Sequence, residues 1–165
     1  MRIWTLVLCT AVAACGGSAV EDRTTTPAKA PATATTADPG LKTMVSQHRF
    51  ADTVTRLEAA ITGKGLRVFT KIDHAANAKG AGLALPPTTI IIFGKPQVGT
   101  ELMATSRSVA IDLPQKMLVW QDGTTVNITY NDPAWLQARH GLDAKAALLK
   151  KISGLLGAVA NQAAH

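Results

Sequence analysis

From Leu41 onward, runs of alternating apolar and polar residues take turns with runs in which apolar residues recur every three or four positions. The first pattern belongs to strands with one buried face, the second to amphipathic helices. Leu41 to His48 alternates and predicts a first strand. Phe50 to Gly63 carries Phe50, Val54, Leu57 and Ile61 at helical spacing, with Arg56, Glu58 and Lys64 turned to solvent. Gly63 and Gly65 supply its C-terminal stop. Leu66 to Ile72 alternates again and predicts a half-buried second strand. The stretch from Asp73 to Ala78 predicts a short helix or turn, broken by Gly80 and Gly82.

The most apolar run beyond the N-terminus is Thr88 to Phe93, bounded by Pro86-Pro87 and Gly94. Its unbroken β-branched and aromatic character predicts a strand covered on both faces. Thr100 is placed to cap a short helix through Glu101, Leu102 and Met103. Two further strands, Lys116–Gln121 and Thr124–Tyr130, flank Asp122-Gly123, a strong hairpin signal. In the second of them Val126, Ile128 and Tyr130 share one face, and Asn127 and Thr129 the other. Asp132 before Pro133 starts a short helix that Gly141 ends. Asp143 opens a last helix to about Asn161, with Leu148, Ile152, Leu155, Leu156 and Val159 as its stripe. Strand, helix, four strands, helix predicts an α+β fold, an antiparallel sheet with helices packed on one face. Five strands leave a face or edge through which a homodimer could form.

The residues before Leu41 follow other rules. Residues 1–14 pair a basic Arg2 with an apolar run ending in small residues, which reads as a signal peptide too short to span a bilayer. The run ends Val12-Ala13-Ala14-Cys15, followed by Gly16-Gly17. This resembles the lipobox of bacterial lipoproteins, which implies cleavage before Cys15 and acylation of that residue. Cys9 lies inside the leader, so the exported chain would hold Cys15 as its one cysteine, with no disulfide framework. Gly16, rather than Asp, after the cysteine implies the periplasmic face of the outer membrane in a Gram-negative host. Residues 15–40 are rich in Thr, Ala and Pro and cannot bury a core, so they read as a disordered tether to a single domain over 41–165.

The formal net charge is +6, and the basic residues are scattered rather than clustered. With three Trp, three Phe and one Tyr, the chain has little to stack on bases, so nucleic acid is not an expected partner. No Cys-based or His-x-x-x-His ligand pattern occurs, so no structural zinc site is predicted, and a weaker metal or haem site from His74, His140 and methionines such as Met103 and Met117 is the alternative to none. Asp73-His74 joins a carboxylate to an imidazole, which suits a base or ligand, although Asp73 also suits a turn cap. His140 closes a short helix, where the helix dipole favours a cation. Ser106 and Ser108 have no histidine near them in sequence, and Asp73, Asp112, Asp122 and Asp132 all sit at turns.

Four blocks carry a wider resemblance: Ile72–Ala76, Pro87–Thr100, Asp112–Trp120, and Tyr130–Pro133 with Ala138–Leu142. Over 43–161 they resemble the domain-of-unknown-function 302 family. The resemblance implies a TATA-binding-protein-like β-α-β4-α fold and names no activity or cofactor. Lys95 stands where the family commonly has a small polar residue. The resemblance and the strand-end position of Tyr130 and Asn131 suggest a pocket shared with His74 and Thr100. The expected function is a lipid-anchored envelope domain that binds a small molecule or an envelope protein. The alternatives are an enzyme of unknown reaction using His74 and its neighbours, and a structural dimeric envelope protein.

Overall fold

The computed structural model describes residues 40–165. The leader, Cys15 and the tether through residue 39 lie outside the described residues. The chain runs β1 (Leu41–Ser46), α1 (Phe50–Gly63), β2 (Arg67–Asp73), α2 (His74–Gly80), β3 (Thr88–Gly94) and α3 (Pro96–Thr105). A 3₁₀ turn over Arg107–Ile111 leads into β4 (Gln115–Asp122), β5 (Thr125–Asn131) and α4 (Pro133–His140). A second 3₁₀ turn, Asp143–Lys145, precedes α5 (Ala146–Ala164). The strands form one antiparallel sheet in the order β1-β5-β4-β3-β2. This is the predicted α+β architecture, with helices on one face.

The covered face is built from alternate strand residues. Thr89, Ile91 and Phe93 of β3, Met117 and Val119 of β4, and Val126, Ile128 and Tyr130 of β5 are buried there. Leu57, Ala60 and Ile61 of α1 and Leu149, Ile152, Leu156 and Val159 of α5 close over them. Ser46 Oγ and Thr53 Oγ1 bond at 2.8 Å within this layer and tie β1 to α1, so two buried hydroxyls satisfy each other. At the end of α1 the Lys64 N–H donates to the Ile61 carbonyl and the Gly65 N–H to the Thr62 carbonyl, and Gly65 sits at φ 68°, a geometry that favours glycine.

The opposite face is less covered than the run Thr88–Phe93 predicts. Ile90 and Ile92 are only half-buried, and they share that face with Leu118, Trp120, Thr129 and Thr43. Trp120 Nε1 donates to Thr129 Oγ1 at 2.9 Å, and Thr129 Oγ1 also meets Thr43 Oγ1 at 2.9 Å. Large neighbours and a hydroxyl ladder shield this surface in place of a second layer.

Two helix starts also differ from expectation. α3 begins at Pro96, four residues before Thr100, because proline's fixed φ suits a first helical position and its missing N–H costs nothing there. Asp143 does not cap α5. It begins the 3₁₀ turn, and its carboxylate accepts from Gln137 Nε2 at 2.9 Å. The predicted start of α4 is as expected, with Asp132 accepting from the Ala134 N–H at 3.0 Å and Pro133 at the first position.

Candidate functional site

α5 is apolar around more of its circumference than one core contact needs. Its core stripe is Leu149, Ile152, Leu156, Val159 and the small residues Ala160, Ala163 and Ala164. Leu148 and Leu155, expected in that stripe, are rotated partly out of it. They face a cavity of about 460 Å³ between α5, α3 and the ends of β2 and β3. That volume lies within the roughly 300–1,000 Å³ typical of small-molecule sites.

The cavity wall has three sources. A bulge in β2 lets the pairing pass from Val68–Phe93 to Thr70–Ile92, leaving Phe69 as the extra residue. Bulges re-aim side chains, and Phe69 lines the cavity against Gly94. A Cβ at Gly94 would stand 3.5 Å from the Phe69 ring. α3 contributes Val98, Leu102 and Met103, and the segment after it contributes Ala110, Leu113 and Pro114. The charged residues on the wall are Lys95 and Lys151. Neither has a carboxylate partner among the described residues.

A second constellation lies on the same 107–113 segment and does not line this cavity. His140, the last residue of α4, places its ring between Ser108 and Asp112. His140 Nε2 lies 2.6 Å from Asp112 Oδ2, and Nδ1 lies 2.8 Å from Ser108 Oγ. Ser108 Oγ is in turn 3.1 Å from Ser106 Oγ. Arg139 Nη1 approaches the same Asp112 oxygen at 3.5 Å and stacks over the Trp135 ring at 4.8 Å. The His140 and Asp112 side chains are 4% and 11% exposed, whereas Ser108 is open to solvent. Lys116 Nζ donates to the Asp112 carbonyl at 2.9 Å. Burial pushes the Lys116 ammonium below its ordinary pKa, and the Asp112 charge partly offsets this.

The six residues singled out in the folded part of the sequence do not converge. Asp73 accepts from the Ala76 N–H at 2.9 Å and caps α2, as its turn position suggested. His74 follows it, exposed, and its ring makes no hydrogen bond or ion pair among the described residues. Thr100 lies inside α3 and lines the apolar cavity. Tyr130 is a core residue, its hydroxyl 3.8 Å from where a Cβ on Gly157 of α5 would stand. Desolvation raises its pKa, against a smaller lowering by Lys42. Asn131 pairs with Leu41 at the end of β5. His140 alone enters a polar cluster, with Ser108 and Asp112, partners 32 and 28 residues away that no local motif signals. The cavity did leave a trace in the sequence: too many leucines on α5 for a single stripe.

Among the described residues, no helix is long and apolar enough to cross a membrane, and no group of three or more His, Cys, Asp or Glu is placed to hold a metal ion.

Comparison with known proteins adds three findings. The family model described as "Domain of unknown function DUF302" matches residues 42–159. The fluoride-specific ion channel FluC 1 of Brucella suis biovar 1 (strain 1330) is 47% identical over 127 residues, 75% of this chain and 50% of that protein. Its counterpart from Brucella abortus biovar 1 (strain 9-941) is equally similar over 47% of its length. The chain thus spans about half the length of these curated relatives. The crystal structure of an uncharacterized conserved DUF302 protein from Bacillus stearothermophilus superposes with a TM-score of 0.70 at 21% identity, covering 76% of this chain and 98% of that one.

Proposed function

The chain belongs to the DUF302 family, and from that premise we propose that it is a lipid-anchored cell-envelope domain whose cavity takes up an anionic amphiphile. The cavity itself carries the reading. Its wall is apolar and holds no acidic residue, and its two charges are the ammonium groups of Lys95 and Lys151, which have no carboxylate partner among the described residues. An apolar body held by a few placed polar groups is how small-molecule sites work. Burying a hydrocarbon chain contributes about 0.8 kcal/mol per methylene. Two cations on its wall favour a carboxylate, sulfate or phosphate head over a cationic one.

Acylation of Cys15 would hold the domain beside a membrane, where such ligands are abundant. Gly16 favours the periplasmic face of the outer membrane. The Brucella relatives are named as ion channels, so a related stretch occurs in proteins named for a membrane activity, which supports a membrane-side location here. Fluoride conduction belongs to that name, and the match spans only about half of those proteins.

Displacement of a fluorescent fatty acid from the full chain tests the ligand class. Laurate should compete at least about tenfold better than dodecylammonium, a difference of about 1.4 kcal/mol. Lys95→Glu combined with Lys151→Glu should reverse the order, and Leu155→Arg should abolish binding of both. Equal competition by the two amphiphiles, or none by laurate, defeats the reading. Metabolic labelling with an alkyne-tagged fatty acid tests the anchor: label should appear on the wild-type chain and vanish in Cys15→Ala.

A further inference from the structure

We propose that Ser108, His140 and Asp112 form a nucleophile relay that cleaves carboxylic esters reaching it from solvent. The inference is independent of the cavity, since Ser108 does not line it.

The hydrogen-bond directions follow from chemistry. An ionised carboxylate only accepts, and Arg139 Nη1 lies 3.5 Å from the same Asp112 Oδ2 as an ion-pair partner. The 2.6 Å contact therefore requires His140 Nε2 to carry a proton and donate it. In neutral imidazole this leaves Nδ1 as the acceptor. Ser108 Oγ, 2.8 Å away, then donates its proton to Nδ1. The Ser106 hydroxyl, 3.1 Å from Ser108 Oγ, can donate to the oxygen thus loaded. A nucleophile and base in hydrogen-bond reach, with the base oriented by a third group, is the arrangement that activates a serine. Here Nδ1 serves the serine and Nε2 the carboxylate. Burial adds to the case: the imidazole is shielded, whereas the serine is open to an incoming electrophile.

The reaction balances without a cofactor. Ser108 Oγ bonds to the acyl carbon as its proton passes to His140 Nδ1. The bond from that carbon to the alcohol oxygen breaks, and the leaving oxygen takes the proton from Nδ1. Water then adds to the acyl-serine, giving a proton to Nδ1. The carboxylic acid departs as that proton returns to Ser108 Oγ. His140 keeps its Nε2 proton throughout and donates it to Asp112, whose negative charge stabilises the transient imidazolium. The net change is ester plus water to acid plus alcohol.

The test uses the full chain with a fluorophosphonate probe, followed by peptide mass spectrometry, and p-nitrophenyl acetate as the ester. Wild-type protein should carry the adduct on Ser108, and unfolding in urea should abolish it. Ser108→Ala should remove the adduct and leave the fold intact, since that side chain is exposed. Asp112→Asn should slow labelling and turnover on the order of 10²-fold or more, and Ser106→Ala only several-fold. The inference fails if the folded wild type labels Ser108 no faster than the urea-unfolded chain. It also fails if Ser108 labels at full rate in a folded Asp112→Asn variant. The urea comparison decides the matter even if that variant does not fold.

Discussion

The segment Arg107–Pro114 separates two regions of opposite chemistry. On one side Ala110, Leu113 and Pro114 help wall an apolar cavity that carries two lysines. On the other Ser108 and Asp112 hold the ring of His140 by two short hydrogen bonds. The cavity is made of side chains whose partners are interchangeable, because burial is non-directional and any apolar neighbour serves. The relay is made of side chains whose partners are specific, because each donor must meet one acceptor at a set distance and angle. The first kind of region tolerates substitution and tunes affinity. In the second kind, one lost atom removes the function.

The largest effect expected lies beneath the cavity. Leu156→Ala, fully buried where the core meets the cavity, should cost about 2–5 kcal/mol, while Leu155→Ala, its half-buried neighbour on the cavity wall, should cost about 1 kcal/mol or less. Urea unfolding of both variants measures the contrast, and equal losses would erase the distinction between the buried stripe of α5 and its half-buried flank. Next comes the relay. Asp112→Asn leaves His140 and Arg139 without their anionic acceptor and should cost about 1–3 kcal/mol. Ser108→Ala should stay within about 0.5 kcal/mol, since its hydroxyl is exposed. A larger loss in Ser108→Ala would make the hydroxyl a structural clamp.

Lys95→Glu alone should leave stability within about 0.5 kcal/mol and weaken laurate binding several-fold, read by the same displacement assay. The smallest effect is alkaline. The folded-state pKa of Tyr130 is raised above its ordinary value of 10.0, chiefly by burial. As pH passes about 10, the unfolded chain sheds that proton before the folded one does, so stability present below this pH is lost above it. Thermal unfolding across pH 9 to 11 should show this decline in wild type and a weaker one in Tyr130→Phe. Lys116 acts in the opposite sense. Its pKa is lowered by burial, so folding is relieved of its charge as pH rises through the lowered value toward 10.5. Identical pH profiles for wild type and Tyr130→Phe would place that hydroxyl outside the linkage.

Much of the fold was legible because its signals are local. The helical spacing of Phe50, Val54, Leu57 and Ile61, the Asp122-Gly123 turn and the Asp132-Pro133 helix start each specify their own neighbourhood. The bulge at Phe69 left no such mark, since an alternating run reads the same with or without one extra residue. The six candidate residues rest on residue type, on turn or strand-end position and on the family resemblance, none of which carries information on where strands and helices bring them. Asp73 was a cap, Tyr130 a core residue and Asn131 a strand end. Ser108, with no histidine near it in sequence, and Asp112, at a turn, carry no local sign of His140, because hydrogen-bonding partners need no sequence proximity.

By itself, then, the sequence determined the order and type of the elements, the one-sided helical layer and the family. Hydrophobic period, caps and turn residues act over a few positions and need no partner elsewhere. Only the tertiary structure decided which apolar residues close the core and which wall a cavity. The same leucine serves either purpose, and the rotation of α5 against the sheet chooses between them. It also decided that α4 ends against the 107–112 segment, close enough for one imidazole to reach a hydroxyl and a carboxylate together. That choice depends on packing α4 and α5 as whole helices, and no residue along the chain records it alone.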